Sequence, residues 1–348
     1  MTTPPAGATT PARASGANAP RTAPGLPPSL STLAPLRRVR AGVLDVAYFE
    51  AGPHDGAPVL LLHGFPYDIH SYVEVAPLLA ESGHRVVVPY LRGHGPTRFV
   101  EPTTPRSGAQ AALGADVVDL MDALDIDAAV LAGYDWGGRA ACVVAALWPQ
   151  RCRGLVSVNG YLIQDIGAAT TPLDPQLEAG FWYFFYFATE RGRRGLAEHA
   201  EGIARVIWER NSPEWRFSDA ELSRAAAAFA NPDWVEVVIH SYRHRLGLVA
   251  GAGVDTGLEL RLAQQPRITV PTVTLDGMAD GNFPATDGSS TAHRFGQLRL
   301  HRQVPAAGHN LPREAPLAFV EAIDAVERLA DAAGRVSSSA HVARARQR

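Results

Sequence analysis

The sequence predicts an α/β protein with a mostly parallel, doubly wound sheet and an inserted helical cap. Short apolar runs alternate with helical patterns over residues 36–160, and the alternation resumes over residues 266–333. Between these two parts of the core, residues 161–265 have helical patterns and no strand-like run. Strands that alternate with helices form a parallel sheet covered on both faces. Ligands of such sheets bind at the carboxyl ends of the strands, so we expect the inserted cap to cover that edge.

The elements of the core follow from hydrophobic periodicity. Residues 43–50 alternate as in a half-exposed strand, and residues 59–63 form the continuous apolar run of a strand covered on both faces. The other predicted strands are at 85–90, 128–131, 155–158, 270–275 and 298–304. The predicted helices of the core are at 71–81, 109–124, 137–147 and 314–329.

Both ends of the chain have the composition of tails. Residues 1–35 are mostly Thr, Pro, Ala, Gly and Ser, and residues 334–348 are also poor in large apolar side chains. Such segments bury too little apolar area to offset the entropy lost on ordering. We expect both to be disordered and to carry no chemistry.

Composition excludes several classes of function. The 348 residues are 46 % hydrophobic and 19 % charged, with a net charge of −3, so a large core can form. An acidic balance without a basic cluster argues against electrostatic binding of nucleic acid or a membrane surface. The chain contains Arg but no Lys, which excludes Schiff-base chemistry and lysine-containing phosphate loops.

Two cysteines and the apolar runs indicate the compartment. Cys142 and Cys152 are too few for a disulfide framework and have no companions for a metal site. We interpret both as small buried residues in a reducing environment. No apolar stretch approaches the ~20 residues of a membrane span, and the N-terminus lacks a signal-peptide pattern. We therefore expect a cytoplasmic protein.

The segment LAGYDWGG places Asp135 at a sharp turn between a strand and a helix. Small residues on both sides of the turn allow a strained backbone and a close approach of the strand to the helix. A side chain at this point projects from the strand tip at a helix N-terminus, as the nucleophile of a nucleophile elbow does. Asp135 is therefore the candidate nucleophile, and the alternative is a helix N-cap.

Two further polar residues follow predicted strands. His309 lies after the strand at 298–304, and Asp280 lies after the strand at 270–275. Together with Asp135 they complete a nucleophile, a base and an acid that orients the base. Taken singly, His309 could be an ordinary loop histidine. Asp276, at the strand end itself, is the competing acid.

The sequence HGFP directly after the strand at 59–63 supplies backbone donors. The N–H groups of Phe65 and of Trp136, which follows the candidate nucleophile, would converge as an oxyanion hole. The alternative interpretation of HGFP is a plain turn.

With these motifs, the chain from about residue 36 to 329 resembles the α/β-hydrolase superfamily. The order of nucleophile, acid and histidine is the one typical of that fold. The segments HGFP, LRGHG, GYDWGG and GHNLPREAP are similar to those of epoxide hydrolases. Haloalkane dehalogenases share the Asp-Trp-Gly-Gly elbow.

The resemblance implies a two-step reaction that needs no metal or organic cofactor. Asp135, ionised at neutral pH, would open an apolar epoxide and form an alkyl ester. Water activated by His309, which Asp280 orients, would then hydrolyse the ester. In the resembled epoxide hydrolases, two cap tyrosines protonate the epoxide oxygen. Tyr183 and Tyr242 match that pattern, with Tyr186 and, less closely, Tyr161 as alternatives.

The substrate-binding residues and the alternative functions are also expectations. Trp136, Phe65, Trp182 and Tyr186 are the predicted substrate-binding side chains, and the aromatic run around 182–187 suggests an apolar pocket. The alternative functions are a haloalkane dehalogenase and a non-catalytic binding protein with the same fold. Phe65 has no side-chain donor where dehalogenases often have Asn, which favours the epoxide hydrolase. The expected partners are an epoxide and water, with a homodimer possible.

Overall fold

A computed structural model describes residues 32–345, except Ala252, Gln297 and Leu298. The predicted tail at 1–35 therefore lies almost wholly outside the described residues, as does Leu298 of the last predicted strand. Every strand predicted for the core has a counterpart among the described strands. The strands are β1 (Leu36–Ala41), β2 (Leu44–Ala51), β3 (Pro58–Leu62), β4 (Arg85–Pro89), β5 (Arg98–Phe99), β6 (Ala129–Gly133), β7 (Cys152–Val158), β8 (Thr272–Gly277) and β9 (Arg299–Val304).

The strands form one twisted sheet in the order β1-β2-β4-β3-β6-β7-β8-β9, with β5 paired to β2. The strands from β4 to β9 along this order are parallel, and β1, β2 and β5 are antiparallel. The residues of β4 and β6 are all buried, as expected for strands covered on both faces.

Helices cover the sheet and fill the insertion. They are α1 (Val75–Glu81), α2 (Gln110–Ala123), α3 (Asp135–Leu147), α4 (Pro175–Gly180), α5 (Trp182–Ala188), α6 (Glu190–Glu198), α7 (Ala200–Asn211), α8 (Asp219–Ala226), α9 (Trp234–Arg245), α10 (Thr256–Ala263), α11 (Leu311–Glu314) and α12 (Pro316–Ala345). Helices α2 and α3 pack on each other, and α1 packs on α12. Helices α4 to α10 lie between β7 and β8, and we call this segment the cap.

The structure differs from the sequence prediction in several places. Strand β1 was not predicted, because most of its side chains are exposed and three of them are Arg. The helix predicted at 71–81 begins at Val75, after a 3₁₀ turn over Ile69–Tyr72. The helix predicted at 137–147 begins at Asp135. The tail predicted to be disordered from 334 is helical as far as Ala345, where α12 ends.

The close packing of α3 against β3 requires glycine at position 137. A Cβ atom there would lie 1.9 Å from the carbonyl oxygen of Leu62. Neither the helix nor the buried strand can move away without disturbing the sheet, so the contact fixes the distance between the two elements.

We expect Gly137→Ala to lower the free energy of unfolding by about 3 kcal/mol or more, because the added methyl overpacks rigid backbone. Urea denaturation measures the change. Gly202→Ala is the matched control: Gly202 lies in α7 with open space where its Cβ would be, so alanine there should stabilise by up to about 1 kcal/mol. Equal stability of the two variants would contradict this account of the α3–β3 contact.

Candidate active site

Asp135 lies where β6 gives way to α3, in a strained backbone conformation. Its φ of +49° falls in the left-handed region, which a non-glycine residue adopts rarely. Strand β3 ends level with β6, because Leu62 pairs with Gly133. This register brings the chain after β3 beside Asp135, where a Cβ at Gly64 would lie 2.8 Å from the Asp135 Cβ. The N–H of Phe65 donates to Asp135 Oδ1 at 2.7 Å.

His309 is almost fully buried between two carboxylates. Its Nε2 lies 3.7 Å from Asp135 Oδ2, and its Nδ1 lies 2.9 Å from Asp280 Oδ2. The ring of Phe283 stacks on the imidazole at a centroid distance of 5.7 Å. The structure thus brings together the predicted nucleophile, base and acid.

The hydrogen bonds distinguish the two candidate acids. Asp280 Oδ1 accepts from the N–H groups of Asn282 and Phe283 at 2.8 and 2.9 Å, which leaves Oδ2 directed at His309. Asp276 accepts from the N–H and hydroxyl of Thr286, both at 2.9 Å. Its nearest histidine is His301, at 4.0 Å. Asp280, and not Asp276, therefore lies in position to orient His309.

The charges of the three groups are coupled. Burial acts to lower the pKa of His309, but the carboxylates of Asp280 and Asp135 outweigh it and raise the pKa to about 10. Burial acts to raise the pKa of Asp135, but His309 and the N–H of Phe65 hold it below its ordinary value. In the resting protein at neutral pH the imidazole is therefore a cation between two anions.

Tyr183 of α5 and Tyr242 of α9 meet on the cap side of the site. Their ring centroids are 5.4 Å apart, and both side chains are buried. The Tyr242 hydroxyl has no hydrogen-bond partner among the described residues. Burial, and then the Asp135 charge, raises the pKa of Tyr183, while burial, Tyr183 and Asp135 raise the pKa of Tyr242. Both phenols are therefore protonated at neutral pH.

The rings of Phe65 and Trp136 pack against Tyr242. Their rings stack with centroids 5.6 Å apart, and the centroid of Tyr242 lies 5.2 Å from Phe65 and 6.0 Å from Trp136. The backbone N–H of Trp136 lies in the first turn of α3, where N–H groups have no partner within the helix. The indole Nε1 of Trp136 is buried without a hydrogen-bond partner in the described part of the chain.

Trp182 and Tyr186 lie on a different face of α5 from Tyr183. The fully buried aromatic residues of α5 are Tyr183, Phe184 and Phe187, whereas Trp182 and Tyr186 are partly buried against the core. Trp182 and Tyr186 contact each other, with centroids 5.9 Å apart, and the Tyr186 hydroxyl lies against Gly195 of α6. The ring contacts described for Trp182 and Tyr186 lie within the cap, and their role in substrate binding stays a prediction.

A cleft of about 570 Å³ opens between the cap and the core next to the site. Its lining includes aromatic rings that contact site residues: Phe283 stacks on His309, and Phe184 lies 4.8 Å from the Tyr242 ring. It also includes Arg139 and Arg245, which sequence reasoning missed. Their signal was weak, because arginine on a helix is usually exposed to solvent.

The described residues hold no group of three or more His, Cys, Asp and Glu side chains that could bind a metal ion. None of the helices in this part of the chain combines the length and the apolar character needed to span a bilayer.

Comparison with known proteins identifies the family. The sequence pattern of the α/β-hydrolase fold family matches residues 57–316. The chain belongs to this family. The α/β-hydrolase resemblance and the fold class predicted from the motifs are confirmed.

Three individual proteins of known name are similar to this chain. The crystal structure of a candidate epoxide hydrolase from Klebsiella pneumoniae is 50 % identical, with a TM-score of 0.84 over 86 % of this chain and 99 % of that one. Epoxide hydrolase B of Mycobacterium tuberculosis is 32 % identical over 42 % of this chain and 44 % of that protein. A haloalkane dehalogenase of Psychrobacter cryohalolentis is 34 % identical over 34 % of this chain and 39 % of that protein. The chain thus spans less than half the length of these two curated relatives.

We expect Asp280→Asn to lower the pKa of His309 by about 1 to 3, because it removes one of the two negative charges beside the ring. Nitrogen-15 NMR of labelled histidine measures this pKa. Asp276→Asn is the matched control and should leave it unchanged. A larger effect from Asp276→Asn would reverse the assignment of the acid.

Proposed function

We propose that this α/β-hydrolase converts an epoxide to a vicinal diol through an ester on Asp135. The observation that carries the proposal is the placement of two sets of groups around one carboxylate. His309 and Asp280 lie on one side of Asp135, and two buried, protonated tyrosines lie on the cap side. The relatives named epoxide hydrolases, matched in part or in full, support the same activity.

In the first step, a carboxylate oxygen of Asp135 attacks an epoxide carbon, and the bond from that carbon to the ring oxygen breaks. An alkoxide in a buried site needs a proton, and Tyr183 and Tyr242 are the donors. A tyrosine is a stronger acid than an alcohol, so the proton moves to the former ring oxygen and a phenolate remains. Aromatic side chains in the lining of the cleft favour an apolar substituent on the epoxide.

In the second step, water attacks the carbonyl carbon of the Asp135 ester, and His309 takes a proton from that water. Negative charge then builds on the carboxyl oxygen that the N–H of Phe65 contacts at 2.7 Å in the resting protein. The N–H of Trp136 is the second donor of this oxyanion hole. Collapse of the tetrahedral intermediate breaks the ester C–O bond, the proton of the added hydroxyl passes to the leaving oxygen, and the diol leaves Asp135 as a carboxylate.

One observation favours a second candidate, haloalkane dehalogenase. The unpartnered indole N–H of Trp136 is a donor that suits a halide ion. A halide leaves without a proton, however, and the two buried phenols would then have no role in the chemistry. Epoxide hydrolysis gives the two phenols a role alongside Asp135, His309 and Asp280, so it is the better match.

We expect His309→Gln to accumulate a covalent adduct on Asp135 when it is mixed with styrene oxide, because alkylation does not need the base and ester hydrolysis does. Intact-protein mass spectrometry should show a gain equal to the whole epoxide, located on the peptide that contains Asp135. The double variant with Asp135→Ala should show none. An adduct with 1-bromobutane instead would indicate a dehalogenase, and reversible binding without mass gain would indicate a non-catalytic binding protein.

We expect Tyr242→Phe to slow alkylation by about 100-fold or more, which is the usual effect of one lost general acid. Single-turnover mixing with excess enzyme and rapid acid quench measures this step. Tyr186→Phe removes a hydroxyl from the same cap but outside the site, and it should leave the rate unchanged. If both variants alkylate at the wild-type rate, Tyr242 is only a wall of the site.

A further inference from the structure

Two arginines line the cleft beside the proposed nucleophile. Arg139 lies in α3, one turn after Asp135, and only 8 % of it is exposed. Its Nε has no hydrogen-bond partner in the described residues, and its Nη1 reaches Gln110 Oε1 only at 3.5 Å. Arg245 lies at the end of α9, three residues after Tyr242, and its Nε donates to Gln164 Oε1 at 2.9 Å.

Within the described residues, neither guanidinium forms an ion pair with a carboxylate. Three acidic side chains of this region hydrogen-bond to backbone N–H groups: Asp165 accepts from Gly167, Glu178 from Leu173 and Glu259 from Ala111. Burial and the charge of Arg245 lower the pKa of Arg139 to about 9. The Asp135 carboxylate acts in the opposite direction on this pKa but forms no ion pair with either arginine. A second anion at this end of the cleft would therefore stabilise the buried cation.

The arginines are close enough to the reacting carboxylate for their charges to act on it. Arg245 contributes to lowering the pKa of Asp135. Its guanidinium lies 4.2 Å from the Phe184 ring centroid and 5.5 Å from that of Tyr242. An anion held here would therefore be a short distance from an epoxide that reaches Asp135, and the aromatic lining would contact the rest of the molecule.

We propose that the cleft selects epoxides that carry a carboxylate, bound between Arg139 and Arg245. The inference rests on the proposed epoxide hydrolysis and adds its substrate class. The planar guanidinium matches a carboxylate through two parallel hydrogen bonds. The expected substrate combines three parts: an oxirane at Asp135, a carboxylate on a short chain from it, and an apolar group along the aromatic lining.

Binding can be tested without turnover. Cinnamate and cinnamamide have the same shape and differ in charge, so calorimetric titration of the wild-type protein with each isolates the contribution of the anion. We expect cinnamate to bind about 10 to 100 times more tightly, the usual effect of hydrogen bonds to a charged group. Arg139→Gln and Arg245→Gln should each reduce this ratio by at least about 10-fold. Arg243→Gln, on the same helix and with the same loss of charge, should preserve it.

The measured quantity is the ratio of the two dissociation constants. A general loss of affinity changes both constants by the same factor and leaves this ratio unchanged. Arg245→Gln keeps the test valid if Arg139→Gln fails to fold. Equal binding of cinnamate and cinnamamide, or a ratio unchanged in the arginine variants, would overturn the inference and leave the arginines as neighbours of the Asp135 charge.

Turnover of 3-phenylglycidate and its amide, measured in parallel, separates the two proposals. Hydrolysis of both at equal kcat/KM would contradict only the carboxylate selection. Preferential binding of cinnamate without hydrolysis of either epoxide would contradict the proposed function and support the anion site.

Discussion

The burial of one histidine between two carboxylates is the constraint on which the rest of the site depends. A buried cation requires nearby opposite charge, and Asp135 and Asp280 supply it from the ends of two different strands. A parallel sheet makes this possible, because the carboxyl ends of its strands meet at one edge. The cap also contributes through Ser212 at the end of α7. Its hydroxyl accepts a hydrogen bond from the backbone N–H of His309 at 3.0 Å and donates one to the Glu314 carboxylate at 2.7 Å. The position of the base is therefore set by core and cap together.

The backbone around Asp135 prepares the carboxylate for two successive roles. In the resting protein the N–H of Phe65 donates to the Asp135 carboxylate. In the ester, the same N–H would face the carbonyl oxygen on which negative charge develops. This reuse depends on the close approach of two chain segments, which the absence of a side chain at Gly64 allows. The strained φ of Asp135 is kept because strand, helix and hydrogen bond all oppose its relaxation.

The sequence was most informative where position along the chain determines position in space. The apolar run at 59–63 and the placement of His309 after the last strand needed only periodicity and the rules of parallel sheets. Strand β1 was missed because an exposed antiparallel edge has no apolar pattern. The choice between Tyr183 and Tyr186 needed the structure, because a continuous aromatic run does not reveal which helical face is buried. The role that we propose for Arg139 depends on the absence of a partner, which only the folded structure reveals.

The pKa of about 10 for His309 bears on the order of proton transfers. A group with a raised pKa stays protonated below it, so at neutral pH the resting imidazole is a cation and cannot act as a base. Esterification of Asp135 removes one of the two negative charges that raise this pKa, and the imidazole becomes a stronger acid. In the proposed reaction, the phenolate left by epoxide opening would be the base that takes up this proton. This transfer restores the tyrosine and leaves a neutral His309 when the ester needs a base. Hydrolysis returns both the carboxylate of Asp135 and the proton on His309, so the cycle closes with one water consumed. The charge of the nucleophile thus determines when the histidine can act.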